Sequence, residues 1–111
     1  MINKQERTVE TYKQAGAAMR LTKSLISQLV VDISPVLLVK DQDRLLKAMN
    51  MIDEVSSHAE DNMFKDHPQL SNHYIDVFYG DVSDEPRNEV DKKIIEMAKE
   101  VSDGLFKRKG N

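Results

Sequence analysis

The apolar residues of this chain recur three and four apart over most of its length, the spacing that gathers side chains on one face of an α-helix. Val9, Tyr12, Gly16, Met19, Ile26, Val30 and Ile33 form the first such stripe. Asn3 and Glu6 are placed to cap its start, and Pro35 forces Ser34 out of helical geometry, so a first helix is predicted over 4–33. From Leu21 onward Leu25, Leu29 and Val31 widen the stripe, which predicts contact from two sides. Residues 34–40 fit either a helix start, Ser34 before Pro35, or a short extended run. A second stripe, Leu45, Met49, Ile52, Val55, Ala59 and Met63, predicts a helix from Asp41 to about Phe64, broken by His67-Pro68. Leu70, Tyr74, Val77 and Phe78 predict a short third helix stopped at Gly80. After the acidic turn Asp81–Glu85, Pro86 sits in the first turn of a fourth helix marked by Val90, Ile94, Met97, Val101 and Leu105. Lys107, Arg108 and Lys109 suit the C-terminal end of its dipole.

These elements predict an all-α fold: an antiparallel four-helix bundle with three long helices and one short third helix, a single domain over 1–111. Composition changes little. At 40% hydrophobic and 32% charged the chain is too apolar for a disordered one, and four Gly with three Pro argue against a turn-rich β fold. The absence of Cys removes disulfides, thiolate catalysis, Cys-based zinc sites and iron–sulfur clusters. The longest apolar stretch, Leu25–Val39, is interrupted by Gln28, Asp32, Ser34 and Pro35, so no membrane span is expected. The start MINKQERT has no apolar signal core, and the expected location is cytoplasmic.

Charge adds a second pattern. Residues 1–40 carry six Lys/Arg against three Asp/Glu, residues 41–91 four against thirteen, and residues 92–111 six against three. The formal charge therefore runs +3, −9, +3, which adds to the −3 of the chain. Phe64, Tyr74, Phe78 and Tyr79 share the acidic middle with His67 and His73. On a third helix Tyr74 and Phe78 would face the core, while Tyr79 lies about 100° away and is the aromatic least explained by packing. Tyr79 with Asp76, Asp81, Asp84, Glu85 and His73 is thus the candidate partner-binding surface, acid to steer a basic protein and an aromatic to anchor it.

Three other chemistries compete with it. Glu54, His58 and Asp61 share a helical face with metal-ligand residue types, but that face lies opposite the apolar stripe, where a solvated surface is expected. Glu96, Glu100 and Asp103 are the alternative metal set. The Glu100-x-x-Asp103 spacing resembles the magnesium pair of all-α nucleotide pyrophosphohydrolases, which would imply a metal-dependent phosphohydrolase. The paired-Glu motif those enzymes need on a preceding helix is not matched by Glu6/Glu10 or by Asp53-Glu54. Lys13, Arg20 and Lys23 fall within about 80° of one another, a basic face that with the C-terminal run would suit a small DNA-associated regulator. Net negative charge and the few cations on offer argue against nucleic acid. No cofactor is expected. The complementary basic first helix and acidic middle can meet within one chain or between two, and the breadth of Leu21–Ile33 fits a homodimer as well as a monomeric bundle.

Overall fold

The computed structural model describes residues 5–79 and 85–106, and among them there is helix, turn and loop but no strand. Three α-helices are present: α1 (Val9–Ile33), α2 (Val39–Asp66) and α3 (Glu89–Phe106). Two short 3-10 turns, Ser34–Val36 and Asn72–Tyr74, punctuate the connections.

The start of α1 is set by Thr8, whose hydroxyl accepts the Thr11 N–H at 3.1 Å while its backbone stays extended. The predicted start at residue 4 is therefore corrected to Val9; Asn3, the expected cap, lies outside the described residues. Its end at Ile33 is where Pro35 places it. Both readings of 34–40 are realised in succession, a 3-10 turn over Ser34–Val36 and then extended Leu37 and Leu38 before α2 begins at Val39. Gln42 holds this bend, its side-chain amide donating to the carbonyls of Ser34 at 2.8 Å and Leu37 at 3.3 Å.

The short third α-helix does not form. Residues 70–79 make one 3-10 turn, Asn72–Tyr74, and then further turns. A helix of so few residues gains too few hydrogen bonds to offset its nucleation, so tertiary contacts decide the conformation. Here they are strong. Val77 and Phe78 are buried, and the guanidinium of Arg20 takes the carbonyl oxygens of Asp76 and Val77. Among the described residues the predicted count of four helices becomes three, and only the all-α class carries over.

α1 and α2 run antiparallel, tied at one end by Arg7 and Tyr12 to Asp66 and midway by Lys23 to Asp53. α3 also runs antiparallel to α1, with Asp91 against Arg20 and with Met97, Glu100 and Val101 around a cleft shared with Ala17 and Gln14. It covers only the first half of α1. The buried core of Tyr12, Ala17, Met63, Val77, Phe78, Ile94, Met97 and Ala98 lies at this proximal end. From Leu21 to Val55 no residue is buried. Val55, expected to face inward, is 56% exposed, and Leu25, Leu29 and Val31 are exposed as well. Segment 70–79 lies against α1 at Gly16, where an added Cβ would strike the Val77 carbonyl oxygen and lie 2.6 Å from its Cγ1.

Candidate functional site

The acidic middle of the chain folds onto the basic first helix. Lys13 places its ammonium 5.7 Å from the centre of the Tyr74 ring, and Lys23 lies 5.1 Å from that of Tyr79. Lys23 also pairs with Asp53 at 2.6 Å. Arg20, expected with these two lysines on a solvated basic face, is instead fully buried. Spacing alone could not separate the three: the position of Arg20 faces the 70–79 segment, and its carbonyls and Asp91 supply the partners that make a buried guanidinium tolerable.

Arg20 is the hinge of this arrangement. Its Nε donates to the Val77 carbonyl at 3.2 Å, its Nη2 donates to the Asp76 carbonyl, and Nη2 lies 2.6 Å from Asp91 Oδ1 as an ion contact. Asp91 is itself buried in the first turn of α3. Its N–H donates to the Asn88 side chain at 2.9 Å, and its Oδ2 accepts the Arg87 N–H at 3.0 Å, a reciprocal cap at the helix start. Burial pushes the Asp91 carboxyl up, but the Arg87 backbone N–H and the Arg20 guanidinium outweigh it and hold the group below the ordinary carboxylate range. Arg87 reaches on to Asp76, Nη1 to Oδ2 at 2.7 Å.

Of the candidate partner-binding residues, the fold brings Asp76 and Tyr79 to one edge and engages both, Asp76 with Arg87 and Tyr79 beneath Lys23. His73 and Glu85 are exposed, and between His73 and Asp76 the side chain of Ile75 is 46% exposed. Asp81 and Asp84 lie outside the described residues.

The structure adds a residue to this edge that sequence pattern did not single out. Glu60 of α2 is half-buried, and one of its carboxylate oxygens, Oε2, has no hydrogen-bond partner. Burial pushes its carboxyl up, and the neighbouring charges of Asp76 and Asp61 push it further. The only sequence signal was position, one turn from both Ser56 and Met63, the two buried residues of α2. Asp61 itself is exposed, as are Glu54 and His58.

At the far end of the core Tyr12 donates to Asp66 at 2.5 Å, Arg7 pairs with Asp66 at 2.7 Å, and the His67 ring nitrogen meets the Arg7 carbonyl at 2.7 Å. Burial and the Asp66 carboxylate both push the Tyr12 phenol up. His67 is thereby the C-cap of α2 and a packing partner of Tyr12, edge-on at 5.9 Å. Glu96, Glu100 and Asp103 are exposed on α3, and among the described residues no group of three His, Asp or Glu side chains could hold a metal ion. No described helix is long and apolar enough to cross a membrane. Comparison with known proteins finds no matching family model, no matching curated protein and no matching solved structure.

Proposed function

We propose that the protein is a small non-enzymatic binding factor, of the accessory, inhibitor or regulatory kind, whose acidic edge receives the basic surface of a protein partner. The edge comprises Glu60, Asp61, Asp76 and Tyr79, with His73 and Glu85 beside them and Asp81 and Asp84 following in the chain. The observation that carries this reading is Glu60. It is crowded by two carboxylates, and its Oε2 has no hydrogen-bond partner. A Lys or Arg from a partner set against the exposed Asp61 would relieve that repulsion, so binding gains more than it would at an already compensated surface. Tyr79 and Asp76 are held in place by Lys23 and Arg87, which lowers the entropy lost when a partner docks on them. Charge steers the encounter and the Tyr79 ring supplies apolar contact.

The test is a quantitative pull-down from extract of the native host at about 0.1 M and about 0.5 M salt, with the wild type beside a Glu60→Gln/Asp61→Asn variant. A partner retained at low salt, released at high salt and weakened by the variant is the expected result. Retention indifferent to both salt and variant would sink the steering mechanism. The phosphohydrolase alternative through Glu96, Glu100 and Asp103 has its own check, because a metal that binds only the folded state must raise the melting temperature. Addition of Mg²⁺ or Mn²⁺ is expected to leave it unchanged.

A further inference from the structure

The groove between α1 and α2 is filled over one part of its length and open over the next. Gly16, Arg20, Lys23 and Ser27 stand four, three and four residues apart on α1, and Glu60, Ser56, Asp53 and Met49 do so on α2, so each set shares one helix face. The chain's own segment 70–79 lies over the proximal members. Val77 rests on Gly16, Arg20 takes the carbonyls of Asp76 and Val77, and Lys23 covers the Tyr79 ring. Across the groove the Asp76 carboxylate lies near that of Glu60. Past Lys23 the groove continues as a crevice of about 120 Å³ lined by Lys23, Ile26, Ser27, Met49, Ile52 and Asp53. The Lys23–Asp53 pair stands at its proximal end, the half-buried Ile26, Met49 and Ile52 are its apolar wall, and Ser27 is exposed on its rim.

The crevice is of side-chain size. A cavity of roughly 150 Å³ holds a benzene ring, so this one takes a single aliphatic side chain. Its ion pair is balanced within itself, and an apolar group enters without meeting an unopposed charge. Surplus acid lies further along α2, at Glu60 and the exposed Asp61. Nine residues separate Ile52 from Asp61, a rise of about 13 Å, which an extended peptide covers in about four residues.

We propose that the crevice takes the apolar side chain of a partner peptide that runs along the groove in extended form, with a Lys or Arg about four residues away set against Asp61. Two observations point to this occupant. The groove already holds a non-helical stretch of polypeptide, segment 70–79 with Val77 and Phe78 buried, and the crevice continues directly from it. The charge beside the crevice is net negative, Glu60, Asp61 and Asp76 with Arg87 as the cation among them, which favours a cation next to the anchor. Lys23 joins the two parts, since it contacts Asp53 at the crevice and Tyr79 at the acidic edge. The cation rests on the acidic-edge reading above, and the apolar anchor with its spacing goes beyond it.

A random peptide library displayed on phage, panned against the full chain at about 0.1 M salt, tests this. Enriched sequences are expected to carry one Leu, Ile, Met or Val with a Lys or Arg about four positions away. A synthetic peptide of that set, followed by fluorescence anisotropy, is expected to bind Ser27→Trp, whose ring fills the crevice from its rim, about tenfold or more weakly than the wild type. Ser27→Ala should bind as the wild type does. Met49→Trp plugs the crevice from α2 and replaces Ser27→Trp if that variant loses its helical circular dichroism. Glu60→Gln/Asp61→Asn should weaken the same peptide several-fold at low salt and little at about 0.5 M. No enrichment, or peptides whose binding ignores the plugs, overturns the crevice as an anchor site and leaves the acidic-edge reading standing. Affinity lost to the plugs yet indifferent to the charge variant and to salt removes the acidic-edge reading and leaves the apolar anchor, so the two failures are distinct.

Discussion

The proximal and distal halves of the α1–α2 hairpin are continuous helices of one chain, yet they are stabilised differently. The proximal half, with segment 70–79 and α3 against it, buries Tyr12, Ala17, Met63, Phe78 and Ile94 around the Arg20–Asp91 pair. The distal half leaves Leu25, Val31, Val39, Met51 and Val55 more than half exposed. The stripe runs through both halves and is wider in the distal one, where Leu25, Leu29 and Val31 join it, so pattern alone would have assigned the distal half more contact rather than less. What separates them is length. α3 has 18 residues against 25 in α1 and lies along the first half of α1, leaving a two-helix projection. An amphipathic stripe therefore predicts that a face needs covering, and leaves open what covers it.

The largest test of this contrast is Arg20→Met. The guanidinium is 1% exposed, and its loss leaves the Asp91 carboxylate buried with Arg87 as its remaining cation. Removing one member of a buried pair costs about 3–5 kcal/mol. Urea unfolding should show a lowered midpoint of that order. The pH dependence has a definite sign. The Asp91 carboxyl is held below its ordinary range in the folded protein, so its contribution is present above the unfolded value and is lost as pH falls through the folded one. Loss of Arg20 should move that acid limb to higher pH.

Gly16→Ala comes next. The new methyl would strike the Val77 backbone, which cannot swing aside as a side-chain tip could. Overpacking of this kind costs about 1–3 kcal/mol, outweighing the gain of roughly 1 kcal/mol that replacing a mid-helix glycine with alanine would otherwise bring. A melting temperature at or above that of the wild type would mean that segment 70–79 does not sit on α1 as described.

The sequence made the helical class legible, and with it the end of α1 at Pro35 and the existence of α2 and α3. Hydrophobic period and proline sterics are local, and they decided those features. It did not show that 70–79 would be a 3-10 turn, because Val77 and Phe78 are placed by Gly16 and Arg20, more than fifty residues away. Arg20 itself read as a surface cation beside Lys13 and Lys23, since burial of a charge depends on partners distant in sequence. The acid–aromatic cluster was visible, and so was its complementarity to a basic first helix. That the two meet within one chain, Lys23 over Tyr79, was a tertiary fact. Glu60 was invisible for the same reason, its crowding coming partly from Asp76 across the fold.

Glu60→Gln gives a smaller effect of the opposite sign. The carboxyl is raised above its ordinary value in the folded protein, so ionising it costs stability. The contribution is present below the unfolded value and is lost as pH rises through the folded one. Glutamine should therefore raise the melting temperature at pH 7 and show little difference at a pH below the ordinary glutamate range. Weaker capture of a basic partner by the same variant would tie the stability cost at this edge to its use.

Leu46→Gln should have the smallest effect, and it tests the distal half most directly. Leu46 is 50% exposed and does not belong to the core. A surface change of this kind alters stability by at most about 0.5 kcal/mol in either direction. The corresponding change at Ile94, fully buried, would remove a core side chain and strand an amide, at about 3 kcal/mol or more. Guanidinium unfolding of the two variants side by side measures the ratio. If Leu46→Gln cost as much as Ile94→Gln, the side of the hairpin bearing Leu46 would be covered in solution, and the contrast between a cored proximal half and an open distal half would fail.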